Sequence, residues 1–377
     1  LVQLANPRTG LPKRQSRLAK VFYSDDGSTA VEVALKLAYE FARRTGRARK
    51  PRFLSLDGAY HGDTAGAVSA GHIDLFHKAY SGMLFKTDKV MSPYCYRCPF
   101  NKAKPERGDA RDTRKCNFEC VDKVEQQFAA RKKRGSNYAA LLVEPGMQGP
   151  AGMIAQPKGW LGRVAEISRE HGTQLIADEV MCGMGRTGSL FALEQEGICA
   201  DITTMAKGLG AGYQPIAAVM ARQSVIDAIM AGSGNLWNGH TYMSHAVATA
   251  GALAVLQEVE SRDLLSAVRA RGQQLEAALR ERSLRDDLAK AELEANQVAA
   301  DAWSQLGGVT KLLEQTVVQA TGDQVELERM RDSLSQEREN ARKQADEQAR
   351  HLREAEERLR CAELKSASLD ALLESIQ

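Results

Sequence analysis

Beyond residue 280 the chain contains no proline, and beyond Gly322 no glycine, while acidic and basic residues alternate along it. A stretch with so few stop signals reads as long helix. Within it Leu327, Leu334, Ala341, Gln348, Ala355, Ala362, Leu369 and Ile376 recur at every seventh position, and Ala345, Leu352, Leu359 and Leu373 fall at the second seam position. A heptad pattern sustained over several repeats predicts a coiled coil. Arg331, Arg338, Gln348 and Ser366 weaken that seam, so the expected assembly is marginal or depends on a partner. A single solvated helix is the alternative. Residues 283–320 also have a helical pattern, with a break expected at Gly307 and Gly308.

The residues before 280 follow another rule. Short apolar runs, candidates for buried strands, lie at 20–24, 52–56, 138–143, 173–177, 202–206 and 215–220. Helical patterns lie near 29–45, 158–171 and 243–260, the first with Val31, Ala34, Leu35, Ala38 and Phe41 on one face. Alternation of this kind predicts an α/β domain with a mostly parallel sheet flanked by helices. The expected organisation is an N-terminal segment at 1–17, an α/β domain at 18–280 and a helical, coiled-coil tail at 281–377.

A chain of 377 residues accommodates two or three domains. Its net charge of +3 makes no case for a nucleic-acid or membrane surface. No apolar run is long enough to span a bilayer. The first residues lack the charged and apolar regions of a signal peptide, and Leu1 in place of methionine suggests a fragment or processed product. Seven cysteines without a secretory signal favour reduced thiols and a cytoplasmic setting.

Several runs end in groups that carry chemistry. The run 173–177 is followed by Asp178, and 202–206 by Lys207. In open α/β sheets ligands gather at the carboxyl ends of strands. A carboxylate and an amine brought together there suit pyridoxal 5'-phosphate: the amine forms a Schiff base, and the carboxylate keeps the pyridine nitrogen protonated. Two surface groups that happen to end strands would be the plainer explanation. Gly27 and Ser28 lie where a strand passes into a helix, an arrangement that binds phosphate, with Thr29 and Glu32 as a candidate capping box. Tyr60, beside Gly62, is placed to stack on a ring. Glu144 ends the run 138–143, and Thr241 offers a further phosphate hydroxyl.

Taken together and in order, Gly27–Ser28, Tyr60–Gly62, Glu144–Pro145, Asp178–Val180 with Gly185–Gly188, Lys207–Gly208 and His240–Thr241 resemble the motifs of class III, fold-type I aminotransferases. Segments 21–32, 60–64, 73–77, 93–100 and 148–153 are similar to the branch of that family that serves biotin synthesis. From 181 to 242 the wording is closer to ω-amine and amino-acid members. The resemblance covers about 18–280. It implies Lys207 as the Schiff-base lysine and proton shuttle, and Asp178 as the pyridinium partner. Tyr60 would stack on the ring, with Glu144 beside the cofactor. Gly27, Ser28 and Thr241 would hold the phosphate, Thr241 from a neighbouring subunit. It also implies a homodimer acting on an amino donor and a keto acceptor. Where the family's small domain should follow residue 280, the charged tail begins, and it can self-associate or bind another helix. A chain that uses a remnant cofactor domain only to carry that tail is the non-enzymatic alternative.

Cys95 and Cys98, then Cys116 and Cys120, have spacing close to that of a structural zinc site. The first pair also belongs to the segment that resembles the biotin branch, in which no general metal requirement is implied. Cys182, Cys199 and Cys361 read as isolated thiols.

Overall fold

The computed structural model describes residues 1–6, 17–47, 50–103, 112–319 and 324–374. Its strands are β1 Leu18–Ser24, β2 Arg52–Leu56, β3 Asp88–Val90, β4 Tyr138–Val143, β5 Met147–Gln148, β6 Ile154–Ala155, β7 Gln174–Asp178, β8 Ile202–Met205 and β9 Ala217–Arg222. Its helices are α1 Val2–Ala5, α2 Gly27–Arg44, α3 Ala65–Ala70, α4 Asp74–His77, α5 Glu119–Lys133, α6 Trp160–Glu170, α7 Gln223–Met230, α8 Ala246–Ser261, α9 Leu264–Gln319 and α10 Gln324–Glu374. One compact unit runs from Leu1 to Val268, and a second from Arg269 to Gln377. The composition changes near Arg280, but no element starts there: α9 passes through that position.

Seven strands form one sheet in the order β1-β9-β8-β7-β4-β2-β3, and β5 and β6 form a separate hairpin. Strands β8, β7, β4, β2 and β3 pair in parallel. β9 lies antiparallel to both β8 and β1, so β1 runs with the parallel set. The all-buried pattern of β4 and β7 follows from helices on both faces. Ala140, Leu142 and Ile176 pack under α2 with Ala34, Leu37 and Phe41. Their alternates Leu141, Val143, Leu175 and Ala177 pack under α5 and α6 with Val124, Phe128, Trp160 and Val164. The period of two distributes one strand between two cores. A third cluster joins Met205, Ala218 and Met220 to Ala248 and Ala252 of α8.

Two expectations require correction. Helix α2 begins at Gly27, and its cap is Asp26 rather than Thr29. Asp26 Oδ1 accepts from Thr29 N at 2.9 Å, and Thr29 Oγ1 accepts from Asp26 N at 3.1 Å. Glu32 is then released to accept from Gly66 N at 2.6 Å. The anticipated break at Gly307 and Gly308 is absent, since α9 continues through both. A glycine costs an exposed helix only about 1 kcal/mol relative to alanine, whereas a break would require a new helix nucleus.

The second unit consists, among its described residues, of the rest of α9 and α10. Half-buried residues of α10 include Leu334, Ala341, Gln348, Leu352, Ala355 and Leu359, all on the heptad seam, while Ala345 is exposed. Among the described residues no helix is long and apolar enough to cross a membrane.

Leu142 is fully buried at the centre of the sheet. Leu142→Ala is expected to lower unfolding free energy by about 2–5 kcal/mol, measured by urea denaturation.

Candidate active site

Strand register determines which residues reach the sheet edge together. Ser24 pairs with Ala217, Met205 with Ala218, Thr204 with Asp178, and Ala177 with Val143. The chain therefore leaves β1, β4, β7 and β8 along one edge, where it also enters β9 past Pro215 and Ile216. These connections enclose a cavity of about 560 Å³ lined by Gly27, Ser28, Tyr60, Glu144, Asp178 and Lys207, together with Asp25, His61, Gly62, Val180 and Gln214. Six of the seven residues selected from sequence thus share one cavity. Thr241 is exposed and is not part of its lining. The adjacent His240 Nδ1 lies 3.0 Å from Ser24 Oγ and 3.6 Å from Asp25 Oδ1.

Asp178 is the last residue of β7 and only 5 % exposed. Its Oδ1 accepts from Val180 N and Thr204 Oγ1, each at 3.1 Å, and its Oδ2 lies 2.7 Å from His61 Nδ1. An ionised carboxylate only accepts, so Nδ1 carries the proton of that bond. Burial alone disfavours a charged His61 ring. The bond to Asp178 and the charges of Asp178 and Glu144 outweigh it, and the net direction is upward. Among the described residues the ring's other nitrogen, Nε2, has no hydrogen-bond partner.

Two more carboxylates are buried at this edge. Glu144 accepts from Tyr60 N at 3.1 Å and Gly149 N at 3.0 Å, tying together two connections that line the cavity. Burial first, and the nearby Asp178 charge, push it up to about 7 despite His61 and those backbone donors. Glu179 is fully buried and accepts from Ala192 N and Leu193 N, each at 3.0 Å. Burial pushes it up to about 8, against those two donors. Tyr60 donates its hydroxyl to Asp63 Oδ2 at 2.6 Å, and its ring meets Phe76 edge-on at 5.5 Å. Burial and the Asp63 carboxylate push that hydroxyl up to about 12.

The start of α2 suits an anion. The N–H groups at the start of a helix are short of partners and bear partial positive charge, and Gly27 and Ser28 open α2 on the cavity wall. Close approach explains two glycines. A Cβ at Gly27 would lie 2.8 Å from Val180 Cγ1, and one at Gly62, where φ is 119°, would lie 2.0 Å from Ser28 Oγ. Lys207 follows β8 in a short 3-10 turn with φ of 41°, and it is exposed to the cavity.

His61, Thr204 and Asp63 had no role assigned from sequence. The Tyr60–Gly62 motif drew attention to His61's neighbourhood, but its bond to Asp178 spans 117 positions. The four clustered cysteines lie outside the cavity. Cys120 is pushed up to about 12 by burial and then by the proximity of Cys98, Cys95 and Cys116.

The raised carboxyls imply an unusual pH dependence for the cofactor-free protein. Folded, Glu144 and Glu179 keep protons up to about 7 and about 8, which the unfolded chain releases above its ordinary 4.5. In that window the native state binds more protons, so stability falls as pH rises. Raised His61 acts in the same sense. Unfolding temperatures across the window should decline toward alkaline pH. Glu179→Gln, which stays uncharged, should flatten the decline.

Comparison with known proteins agrees with this geometry. The family described as aminotransferase class-III matches residues 8–292. The chain is 43% identical over 274 residues to adenosylmethionine-8-amino-7-oxononanoate aminotransferase of Geobacter sulfurreducens, covering 70% of this chain and 58% of that one. The crystal structure of the enzyme with that name from Methanocaldococcus jannaschii superposes with a TM-score of 0.60 at 30% identity, covering 71% of this chain and 57% of the other. An amine transaminase from an uncultivated Pseudomonas species, in its PLP-bound form, gives 0.63 at 36% identity, with 70% and 59% covered. The chain thus spans less than two thirds of each of these relatives. It belongs to the class-III aminotransferases.

Proposed function

We propose that the chain is a pyridoxal-phosphate-dependent aminotransferase that transfers an amino group to 8-amino-7-oxononanoate in biotin synthesis. The observation that carries the reading is the convergence of Asp178 and Lys207 on one cavity whose lining includes a helix N-terminus. The residues present fit the cofactor. Side chains at Gly27 and Gly62 would intrude on Val180 and Ser28, so the cradle depends on their absence. A buried carboxylate is already oriented by contacts with His61, Thr204 and the Val180 amide. The named relatives and the segments similar to the biotin branch support the choice of acceptor.

When bound, the cofactor supplies an electron sink for the carbanion formed at the amino donor's reacting carbon. Asp178 keeps the ring nitrogen protonated, and His61, Thr204 and the Val180 amide hold that carboxylate in place. Tyr60, its hydroxyl fixed by Asp63 and its amide by Glu144, would hold the ring. Gly27 and Ser28 would hold the phosphate, with Thr241 of a neighbouring subunit. The Lys207 amine would hold the cofactor, and its Nζ would carry a proton to and from the donor's reacting carbon. The similarity to an amine transaminase favours, as a second reading, an ω-amine or amino-acid donor and acceptor pair.

The same proposal includes a homodimer. Its support is a strip of exposed apolar residues, Leu75, Phe76, Tyr80, Met83 and Phe85, of which Leu75 is 84 % and Met83 75 % exposed. The α10 seam is proposed as a separate, coiled-coil surface for a second copy or another helix. A cytoplasmic location is in keeping with seven cysteines, none in a disulfide.

Adding pyridoxal phosphate to the purified chain should produce a visible absorption band that Lys207→Ala abolishes. Asp178→Asn should lower turnover by roughly 10²-fold or more, the scale of a lost proton-positioning group. Use of S-adenosylmethionine as donor supports the biotin assignment, and use of simple amines alone replaces it with the second reading. Absence of the band would leave a non-enzymatic carrier of the tail.

The two assembly surfaces should separate in sedimentation velocity. Leu75→Asp with Met83→Asp is expected to dissociate the dimer of the first unit. Leu352→Asp with Leu359→Asp is expected to remove only the tail's association.

A further inference from the structure

The four-cysteine segment lies outside the cavity and plays no part in the proposed reaction. We propose that Cys95, Cys98, Cys116 and Cys120 form a structural zinc site that ties the arm carrying the first pair to the arm carrying the second.

Hydrogen bonds tie the arm that carries Cys95 and Cys98 to the arm that carries Cys116. Cys95–Arg97 is a 3-10 turn, and Cys98 N donates to Cys95 O at 3.5 Å. Asn101 then bridges the two arms: its Nδ2 donates to Cys95 O at 2.9 Å, and its Oδ1 accepts from Lys115 N at 2.9 Å. Lys102 N donates to Lys115 O at 3.1 Å, closing the base of the loop in front of Cys116. On the far side Phe118 takes a left-handed conformation, with Arg114 3.7 Å and Arg163 4.4 Å from its ring. That bend starts α5 and places Cys120 in its first turn. Cys95 and Cys120 are buried at 8 % and 7 %, Cys98 and Cys116 are half-buried, and none is in a disulfide.

The chemistry suits zinc. Four thiolates with C-x2-C spacing, a long loop and a second close pair form a tetrahedral S4 set, with zinc–sulfur bonds of about 2.3 Å. On binding, four thiols each lose a proton, and the centre carries two net negative charges. The first turn of α5 favours negative charge at Cys120. Arg114 Nη1 lies 3.8 Å from Cys116 Sγ, and Lys102, Lys104, Arg107, Arg111 and Lys115 lie between the pairs in sequence. Among the described residues no group of three or more His, Cys, Asp or Glu is yet at ligand spacing. Binding therefore draws the half-exposed Cys98 and Cys116 arms inward.

The test is elemental analysis of the full chain expressed with zinc, followed by chelation and titration with zinc chloride. About one zinc per chain is expected, with about four protons released and four thiols shielded from a thiol reagent on rebinding. Cys98→Ser with Cys116→Ser should lose the zinc while retaining the visible band of added pyridoxal phosphate. If the variant does not fold, the wild-type titration decides by itself. Failure of the wild-type chain to bind zinc, zinc retained by a folded variant, or disulfides among the four would overturn the proposal. None of these results depends on transaminase turnover.

Discussion

Hydrogen bonds between neighbouring strands decide which side chains meet at the edge of this sheet. Thr204 stands opposite Asp178, and Met205 opposite Ala218, so the carboxylate that ends β7 and the amine that follows β8 open into one cavity. A slip of one residue in β7 would turn Asp178 into the opposite core and bring its apolar alternates to the Asp178 side. The packing prevents that slip: Ile176 is committed to the α2 core, while Leu175 and Ala177 are committed to the α5–α6 core. Hydrophobic burial on two faces thus positions a polar pair that it does not itself contain.

Concentrating acids at that edge has an electrostatic consequence. Asp178, Glu144 and Glu179 are all buried, and a buried charge is tolerated only with close partners. Each carboxylate finds different ones. Asp178 has an imidazole, a hydroxyl and an amide. Glu144 and Glu179 each have a pair of backbone N–H donors. Burial outweighs those pairs and raises both glutamates, so the second and third acids can stay neutral beside Asp178. The same bonds tie the connections after β2, β4 and β7 together, so the electrostatic arrangement also makes the wall of the site.

Legibility in the sequence followed the strength of each local pattern. Strands β2 and β4 matched the expected runs at both ends because their apolar runs have clear boundaries. The three-residue β3 was missed as too short to show a period. The charged α5 was missed as well, since only Cys120, Val121, Val124 and Phe128 are buried along it. The cap of α2 was misplaced because Asp26 and Thr29 both fit the pattern, and only the conformation of Gly27 and Ser28 selects Asp26. Gly307 and Gly308 looked like a stop signal, but an exposed helix tolerates them.

By itself the sequence determined many of the elements and the residue types at their ends: apolar runs closing in Asp178 and Lys207, a glycine-serine helix start and a helical tail. Those are local properties, set by side-chain periodicity and by the conformational limits of single residues. Only the tertiary structure decided that His61 supports Asp178, that Glu179 secures a loop start and that Gly62 exists to clear Ser28. Each of these is a contact that local periodicity does not specify, and the order of strands in the sheet, unlike their existence, arises only when the two cores close.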